Sequence, residues 1–174
     1  MKDKEPKKDI IKFDKGDFVI EIETTKDDVW RALKILRSDR DLVRFLVYIM
    51  VREPITMTDL SLFATRMSLR VYNRSKVYTI VRKLSDVGLV KFVTAMDVEE
   101  DDLPEDMKKM IKTTYNRIIS KLPPILRKST NIRNMKFLIL TKFAKEKIVP
   151  RIPKLLNELQ IDDIKINFKR IGKK

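Results

Sequence analysis

Apolar and polar residues alternate at the start of the chain. On either side of residues 14–17, apolar side chains recur at every second position: Ile11, Phe13, Phe18, Ile20 and Ile22. Successive side chains of an extended strand point to opposite faces, so this alternation predicts two strands. Gly16 supplies the turn between them. We therefore expect residues 1–25 to form an N-terminal β-hairpin.

A helical period replaces the alternation from residue 29 onward. Apolar residues recur three and four positions apart in two consecutive sets: Val29, Trp30, Leu33 and Leu36, then Leu42, Phe45, Leu46, Ile49 and Met50. This spacing places each set on one face of a helix. The pattern predicts two helices, or one helix broken around Ser38. Pro54 ends the second, because proline disfavours helical backbone in the residue before it.

Residues 56–94 predict two further helices and a strand. Thr56 and Asp59 have the spacing of a capping box, which satisfies free N–H groups at a helix start. The helix that follows carries the apolar residues Leu60, Phe63, Ala64 and Met67. After a turn at 68–73, the next helix has an apolar inner face of Val77, Ile80, Val81, Leu84 and Val87. Gly88 ends it, and the β-branched and aromatic residues of 89–94 predict a strand.

The last part of the chain predicts a second strand at 135–141, followed by a helix that Thr141 caps. The apolar residues of this helix are Phe143, Ala144, Ile148 and Val149. Pro150 and Pro153 are expected to break or kink it. We treat residues 150–174 as a separate element. It holds a leucine-rich helix (Leu155, Leu156, Leu159) and an alternating strand (Ile164, Ile166, Phe168) that joins the N-terminal hairpin or serves dimerisation.

A long insertion, residues 97–134, separates the two central strands. It begins with an acidic patch of Asp97, Glu99, Glu100, Asp101, Asp102, Glu105 and Asp106. Residues 105–121 then predict an amphipathic basic helix, whose apolar stripe docks on the body of the protein or on a partner subunit. That stripe consists of Met107, Met110, Ile111, Ile118 and Ile119. Pro123 and Pro124 end the helix, and residues 126–134 predict a basic loop.

Positive charge is concentrated in two intervals of the chain. The net charge is +14 at pH 7, which favours a polyanionic partner such as nucleic acid. No acidic residue occurs from 60 to 85, where six cations lie: Arg66, Arg70, Arg74, Lys76, Arg82 and Lys83. Residues 107–145 contain further lysines and arginines and again no carboxylate. Ordinary surfaces intersperse both signs, so this segregation indicates a binding surface.

Composition excludes several classes of function. The chain has no cysteine and no histidine, so thiol nucleophiles, histidine-based triads and cysteine-ligated zinc are unavailable. We expect no enzymatic activity and no cofactor. No apolar run is long enough to span a bilayer, and the first residues lack the apolar core of a secretory signal. We expect a cytoplasmic, nucleoid-associated protein without membrane contact. The scarcity of cysteine and glutamine resembles thermophilic proteins, including archaeal ones.

The order of these elements resembles the winged helix-turn-helix superfamily, as in MarR-like and PadR-like transcriptional regulators. The resemblance rests on residues 55–93 and 137–148, with the capped helix, the helix end KLSDVGLV (83–90) and the stretch FLILTKFA (137–144). It implies an α+β, mainly α fold, with a winged-helix domain at 26–149 and small β additions at both termini. Two features depart from the family pattern. The turn before residue 77 is longer than usual, and the insertion enlarges the wing.

The resemblance implies double-stranded DNA as the partner and transcription regulation as the role. A recognition helix lies in the major groove and presents its outward side chains to bases and phosphates. The expected base and groove contacts are Ser75, Lys76, Tyr78, Thr79 and Arg82, and the expected phosphate contacts are Arg70, Arg74 and Lys83. In the wing, Arg127, Lys128 and Arg133 are expected near the minor groove. A homodimer on two half-sites about one DNA turn apart is typical of such regulators.

Other interpretations remain open. The cations alternatively form a solvated face, and Tyr78 alternatively covers its own helix. A winged-helix interaction module in a replication or transcription assembly is the second hypothesis, because the wing insertion offers a surface for a protein or RNA partner. Paired carboxylates of the acidic patch suggest a metal-dependent nuclease, and a basic amphipathic helix suggests a membrane surface. We expect Trp30, Phe45, Phe63 and Met67 in the core, with Trp30 alternatively at a dimer seam.

Overall fold

Helices make up most of the chain, and short antiparallel strand pairs complete it. The computed structural model describes residues 8–15, 18–25, 28–67, 74–99 and 101–164. The helices are α1 (Asp28–Ser38), α2 (Arg40–Arg52), α3 (Met57–Met67), α4 (Arg74–Asp86), α5 (Glu105–Ser120), α6 (Pro124–Arg127), α7 (Thr130–Arg133) and α8 (Ile152–Glu158). The strands are β1 (Lys8–Lys15), β2 (Phe18–Thr25), β3 (Val90–Thr94) and β4 (Lys136–Leu140). The content is that of the predicted α+β, mainly α class.

Strands β1 and β2 form the N-terminal hairpin that the alternation predicts. They pair antiparallel, with Ile11 opposite Ile22 and Phe13 opposite Ile20. Residues directly opposite each other in an antiparallel pair lie on the same face of the sheet. The apolar positions that the sequence pattern identified therefore share one face.

The predicted break near Ser38 is confirmed. Helix α1 ends at Ser38, α2 begins at Arg40, and Asp39 lies between them with extended backbone. The Asp39 carboxylate accepts a hydrogen bond from the N–H of Asp41 at 2.9 Å. A carboxylate at this position satisfies an N–H group that has no partner within the helix. The two helices are consequently separate elements.

The predicted signals at the start of α3 and the end of α4 are also confirmed. The Asp59 N–H donates to the Thr56 hydroxyl oxygen at 3.2 Å, and the Thr56 N–H donates to the Asp59 carboxylate at 3.3 Å. This reciprocal pair is a capping box. Gly88 has φ +73°, and the Leu89 N–H donates to the Leu84 carbonyl at 3.0 Å. The left-handed glycine ends α4 and directs the chain into β3.

Strands β3 and β4 are the two central strands of the sequence prediction. They pair antiparallel, with Val90 opposite Leu140. Ile55 adds a single antiparallel bridge to β4: its N–H donates to the Leu138 carbonyl at 3.2 Å, and the Leu138 N–H donates to its carbonyl at 2.7 Å. The segment before α3 is thereby tied to the strand that follows the insertion. Sequence reasoning missed this bridge, because a single residue has no periodicity.

The main core lies between the inner faces of α1 to α4 and the C-terminal helical segment. The Phe63 ring stacks on Tyr48 with centroids 3.6 Å apart and meets Phe45 edge-on at 5.9 Å. Leu155 and Leu156 of α8 are buried in this same core. The helix that the sequence separated into a terminal element therefore packs within the helical body, and its buried leucines contact their own chain.

Two of the four predicted core residues are confirmed, and one is wrong. Phe45 is buried and Phe63 packs against the core. Trp30 is only partly buried and belongs to neither hydrophobic cluster of the described residues. The Lys34 ammonium lies 5.0 Å from the centre of its ring, an arrangement that a half-exposed indole favours. The side chain of Met67 lies outside the described residues.

The helical segment after β4 changes type at its first proline. The Ala144 N–H donates to the Thr141 hydroxyl oxygen at 3.1 Å, which confirms the predicted cap. A π-helical turn follows at Ala144–Ile148 and a 3₁₀ turn at Val149–Arg151, before α8. Proline removes one backbone donor and crowds the preceding turn. The widened and then tightened turns accommodate this loss, so the regular α-helix is interrupted around Pro150 as predicted, while Pro153 lies in the first turn of α8.

The insertion packs on the β3–β4 sheet of its own chain. A second hydrophobic cluster joins the buried Met107 and Ile111 of α5 to Val93, Phe137 and Ile139 of the two strands. Partly buried Tyr115 and Ile118 extend this contact along α5. The predicted amphipathic helix is confirmed, and its docking partner is the body of the protein.

The structure corrects two details of the sequence prediction. Met110 is 46% exposed and lies off the buried stripe of α5. Residues 126–134 are not a loop, because α6 and α7 each form one helical turn there. Pro124 starts α6, and the Ser129 hydroxyl accepts from the Ile132 N–H in α7. The predicted C-terminal strand lies outside the described residues beyond Ile164. None of the described helices is long and apolar enough to span a bilayer.

Candidate nucleic-acid interface

Helix α4 divides a buried face from an exposed face as the sequence predicts. Val77, Ile80, Val81 and Leu84 are at most 4% exposed and pack in the main core. The predicted contact residues with described side chains are all exposed: Ser75, Lys76, Tyr78, Thr79, Arg82 and Lys83. Arg70 lies outside the described residues, as does the side chain of Arg74. The apolar face fixes the helix on the body and leaves the polar face for a partner.

The exposed face of α4 has a central ridge and two flanks. Because each residue turns the helix by about 100°, Ser75, Thr79 and Arg82 follow one another along the ridge. Tyr78 lies on one flank, and Lys76 and Lys83 lie on the other. The ridge runs from the hydroxyl side chains of Ser75 and Thr79 to Arg82 and ends at the exposed carboxylate of Asp86.

Thr79 has only part of its hydrogen-bonding capacity available to a partner. Its hydroxyl donates to the Ser75 carbonyl at 3.0 Å. The hydroxyl proton is therefore engaged within the helix, while the oxygen lone pairs and the methyl group remain outward. Such a threonine accepts from the amino group of adenine or cytosine, or contacts the methyl group of thymine.

A cavity of about 620 Å³ lies between the Tyr78 flank of α4 and the insertion. Tyr78 and Phe92, which are 47% and 38% exposed, line it together with Asn131, Asn134 and Lys136. The tyrosine ring thus borders an open space between two parts of the chain. Sequence reasoning identified Tyr78 but missed the other four residues, because the folding of the insertion brings them to α4.

The tip of the insertion, residues 121–134, carries the three cations predicted for the wing. Lys128 and Arg133 are exposed. Arg127 is exposed too, but its Nε donates to the Leu122 carbonyl at 2.8 Å and its Nη2 to the Ser120 carbonyl at 3.2 Å. Carbonyls at the end of a helix have no partner within it. Arg127 therefore caps α5, a structural role that the sequence did not indicate.

The acidic patch is paired with lysines of the same region. Lys91 contacts Asp101 at 2.7 Å and Lys108 contacts Glu105 at 3.3 Å. Lys112 and Glu99 form a third ion pair. Within the described ranges, no three carboxylates converge on a point where a metal ion could bind. These pairs neutralise part of the acidic patch, and its described carboxylates form no cluster that could hold a metal ion.

Cations on the body of the protein also have acidic partners. Arg37 contacts Glu158 at 3.0 Å, and Arg44 contacts Asp163 at 3.0 Å, which ties α1 and α2 to the C-terminal segment. The hydrogen bond from Arg44 holds the pKa of the Asp163 carboxyl below its usual value. The same contact raises the pKa of Arg44. Lys145 lies 2.7 Å from Glu53, whose other oxygen accepts from the Leu140 N–H.

Several cations of α4 and of the insertion tip lack an acidic partner among the described residues. Four of them form no ion pair with any residue that the structure describes: Arg82, Lys83, Lys128 and Arg133. Their charge is therefore not neutralised by described residues of the chain.

Comparison of the chain with protein-family models, with curated proteins and with solved structures finds no match.

Proposed function

We propose that this protein binds double-stranded DNA through α4 and the insertion tip, and that it regulates transcription by binding alone. One observation carries the proposal: four exposed cations of α4 and the tip have no acidic partner among the described residues and lie in the two intervals without carboxylates, namely Arg82, Lys83, Lys128 and Arg133. Unpaired surface cations attract phosphates and release the counterions that surround DNA. Among the residues of α4 and the tip, Asp86 at the end of α4 is the one carboxylate.

The arrangement of elements supports a winged helix-turn-helix fold. Helices α2, α3 and α4 precede an antiparallel strand pair, and Ile55 adds the short bridge before α3. In this proposal α4 is the recognition helix, and β3, β4 and the insertion form an enlarged wing. The ridge of Ser75, Thr79 and Arg82 lies toward base edges, while Lys83 and the tip cations lie toward phosphates.

Electrophoretic mobility shifts with duplex DNA over a salt series test the proposal. The double variant Lys83→Ala, Arg133→Ala should bind more weakly and lose about two units of salt slope, because each lost phosphate contact removes about 0.9 from it. The double variant Arg40→Ala, Lys147→Ala removes the same charges at exposed sites away from α4 and should retain binding. Absence of binding at low salt, or equal loss in the two double variants, would contradict the proposal.

Homodimerisation is a second part of the proposal. A symmetric dimer places two recognition helices about one DNA turn apart, so its preferred site is a palindrome. Selection of bound sequences from random duplex DNA measures this directly. An enriched palindrome supports a dimeric regulator, and enrichment of a single half-site contradicts dimeric binding.

The competing role as a protein-interaction module draws less support. Its motivation was the insertion, but the apolar stripe of α5 is covered by the β3–β4 sheet of the same chain. Ile125 and Leu126 of α6, 84% and 49% exposed, remain as the apolar residues of the tip. They are surrounded by cations, which suits a polyanion better than an apolar protein partner.

A further inference from the structure

Three arginines from separate elements line one small polar cavity behind the proposed DNA-binding face. Arg52 ends α2, Arg66 lies in the last turn of α3, and Arg117 lies in the last turn of α5. The cavity has a volume of about 300 Å³. Residues far apart in the sequence are therefore brought together where the end of α5 lies beside α2 and α3.

The cavity holds one carboxylate against these three arginines. None of the three forms an ion pair with any residue in the described part of the chain. Asp59 is the acidic residue among the lining side chains. Its carboxylate is already engaged, because it accepts from the Thr56 N–H at 3.3 Å and from the Thr56 hydroxyl at 2.9 Å. The lining thus has an excess of two positive charges.

The rest of the cavity wall contains aromatic rings and a hydroxyl group. The stacked rings of Tyr48 and Phe63 border the cavity on one side, and Thr114 of α5 offers a hydroxyl on another. A cation near a helix C-terminus is favourable on its own, but that preference does not explain why three such ends meet at one cavity.

We propose that Arg52, Arg66 and Arg117 form an oxyanion site that binds a phosphate group. The planar guanidinium group presents paired N–H donors that match two oxygens of a phosphate, and arginine keeps its charge at any physiological pH. The volume lies at the lower end of the range for ligand cavities. It suits a phosphate or pyrophosphate group and excludes a large ligand.

The phosphate has two chemically equivalent sources. One is a backbone phosphate of bound DNA, in which case the site deepens the proposed function by adding a contact outside α4 and the tip. The other is a free phosphorylated compound, in which case the site is independent of DNA binding. Inorganic phosphate and pyrophosphate are the probes for the free source, and duplex DNA is the probe for the other.

Thermal unfolding of the full chain at constant ionic strength tests the free source. Pyrophosphate at about 100 times its Kd should raise Tm by about 5–10 °C, since ligand binding stabilises the folded state by mass action. Arg66→Ala and Arg117→Ala should abolish this rise, and Arg66→Lys should reduce it because lysine cannot bind bidentately. Arg40→Ala, which removes an exposed arginine elsewhere, should retain it.

The same variants without added anion separate ligand binding from a structural role. Relief of repulsion between like charges should leave the Tm of Arg66→Ala unchanged or slightly raised in anion-free buffer. A purely structural arginine would instead lower Tm with and without pyrophosphate by the same amount, which counts against the site.

Titration of the variants with duplex DNA tests whether a backbone phosphate of DNA occupies the site. If backbone phosphate occupies the site, Arg66→Ala and Arg117→Ala each reduce the salt slope of DNA binding by about 0.9, and Arg40→Ala does not. The inference is overturned if both variants retain the response to pyrophosphate and the affinity for DNA of the unaltered chain, or if the unaltered chain responds to neither probe. A response to pyrophosphate without DNA binding supports this site while refuting the proposed function.

Discussion

Replacing Ile111 by alanine tests whether the insertion is an integral layer of the fold. Ile111 is fully buried between α5 and the β3–β4 sheet. Truncating a buried isoleucine to alanine removes about 2–5 kcal/mol from the free energy of unfolding, through lost burial and the cavity left behind. The neighbouring Met110 is 46% exposed, so Met110→Ala should cost less than about 1 kcal/mol. The two variants thus compare adjacent residues of one helix.

Urea denaturation followed by circular dichroism measures the difference. For a urea m value of about 2 kcal/mol per molar, Ile111→Ala should lower the midpoint by about 1–2.5 M, with Met110→Ala close to the unaltered chain. An unchanged m value would show that the insertion unfolds together with the rest of the protein. Equal midpoints for the two variants would refute the docking, because an undocked α5 exposes both residues alike.

Two further predictions concern the backbone and the termini. Gly88→Ala should lower the free energy of unfolding by about 1–2 kcal/mol, because alanine is strained at a φ of +73°. The new Cβ meets no atom within 4 Å, so no steric clash adds to this backbone cost. Gly88→Asn should cost less, since asparagine tolerates this backbone; equal Tm values for Ala, Asn and Gly would contradict it. Asp163→Asn should lower the free energy of unfolding by less than about 1 kcal/mol at neutral pH, because the ion pair between Asp163 and Arg44 is half-exposed. The pKa of the Asp163 carboxyl is lowered in the folded state. The stability difference between the unaltered chain and Asp163→Asn should therefore be present at neutral pH and vanish as the pH falls through the folded-state pKa. A pH-independent difference would contradict it.

Local signals in the sequence were sufficient for the helices and strands. The capping box of Thr56 and Asp59, the left-handed Gly88 and the cap at Thr141 each act through hydrogen bonds within a few residues. Such signals depend on side-chain chemistry at fixed spacing, so they can be recognised before the fold is known. The exposed and buried faces of α4 followed from periodicity for the same reason.

The errors share a different cause, which is contact between residues distant in the sequence. The bridge of Ile55 to β4, the capping of α5 by Arg127 and the burial of Leu156 in the main core each require knowledge of which surfaces meet. The two single-turn helices at the insertion tip are an exception. Pro124 and Ser129 are ordinary helix-start residues, so that part of the sequence did contain the signal.

The same distinction applies to the candidate sites. Cations of α4 are visible as a run without carboxylates, so the sequence alone predicts their common face. Arg52, Arg66 and Arg117 follow no motif, because three different helices supply them. Only the docking of α5 creates their shared cavity, and Ile111 is the fully buried residue of that helix. Loosening α5 through Ile111→Ala should therefore weaken the arginine site more than the face of α4.

The docking of α5 also indicates how the insertion would serve the proposed function. A sheet of two short strands is marginal in water unless one face is covered, and α5 covers the face of β3 and β4 that holds Val93, Phe137 and Ile139. The tip cations are then attached to an ordered helix whose end is capped by Arg127. Ordering them before DNA arrives lowers the conformational entropy lost on binding. An enlarged wing of this kind should therefore contribute affinity that a loose basic loop of equal charge would not.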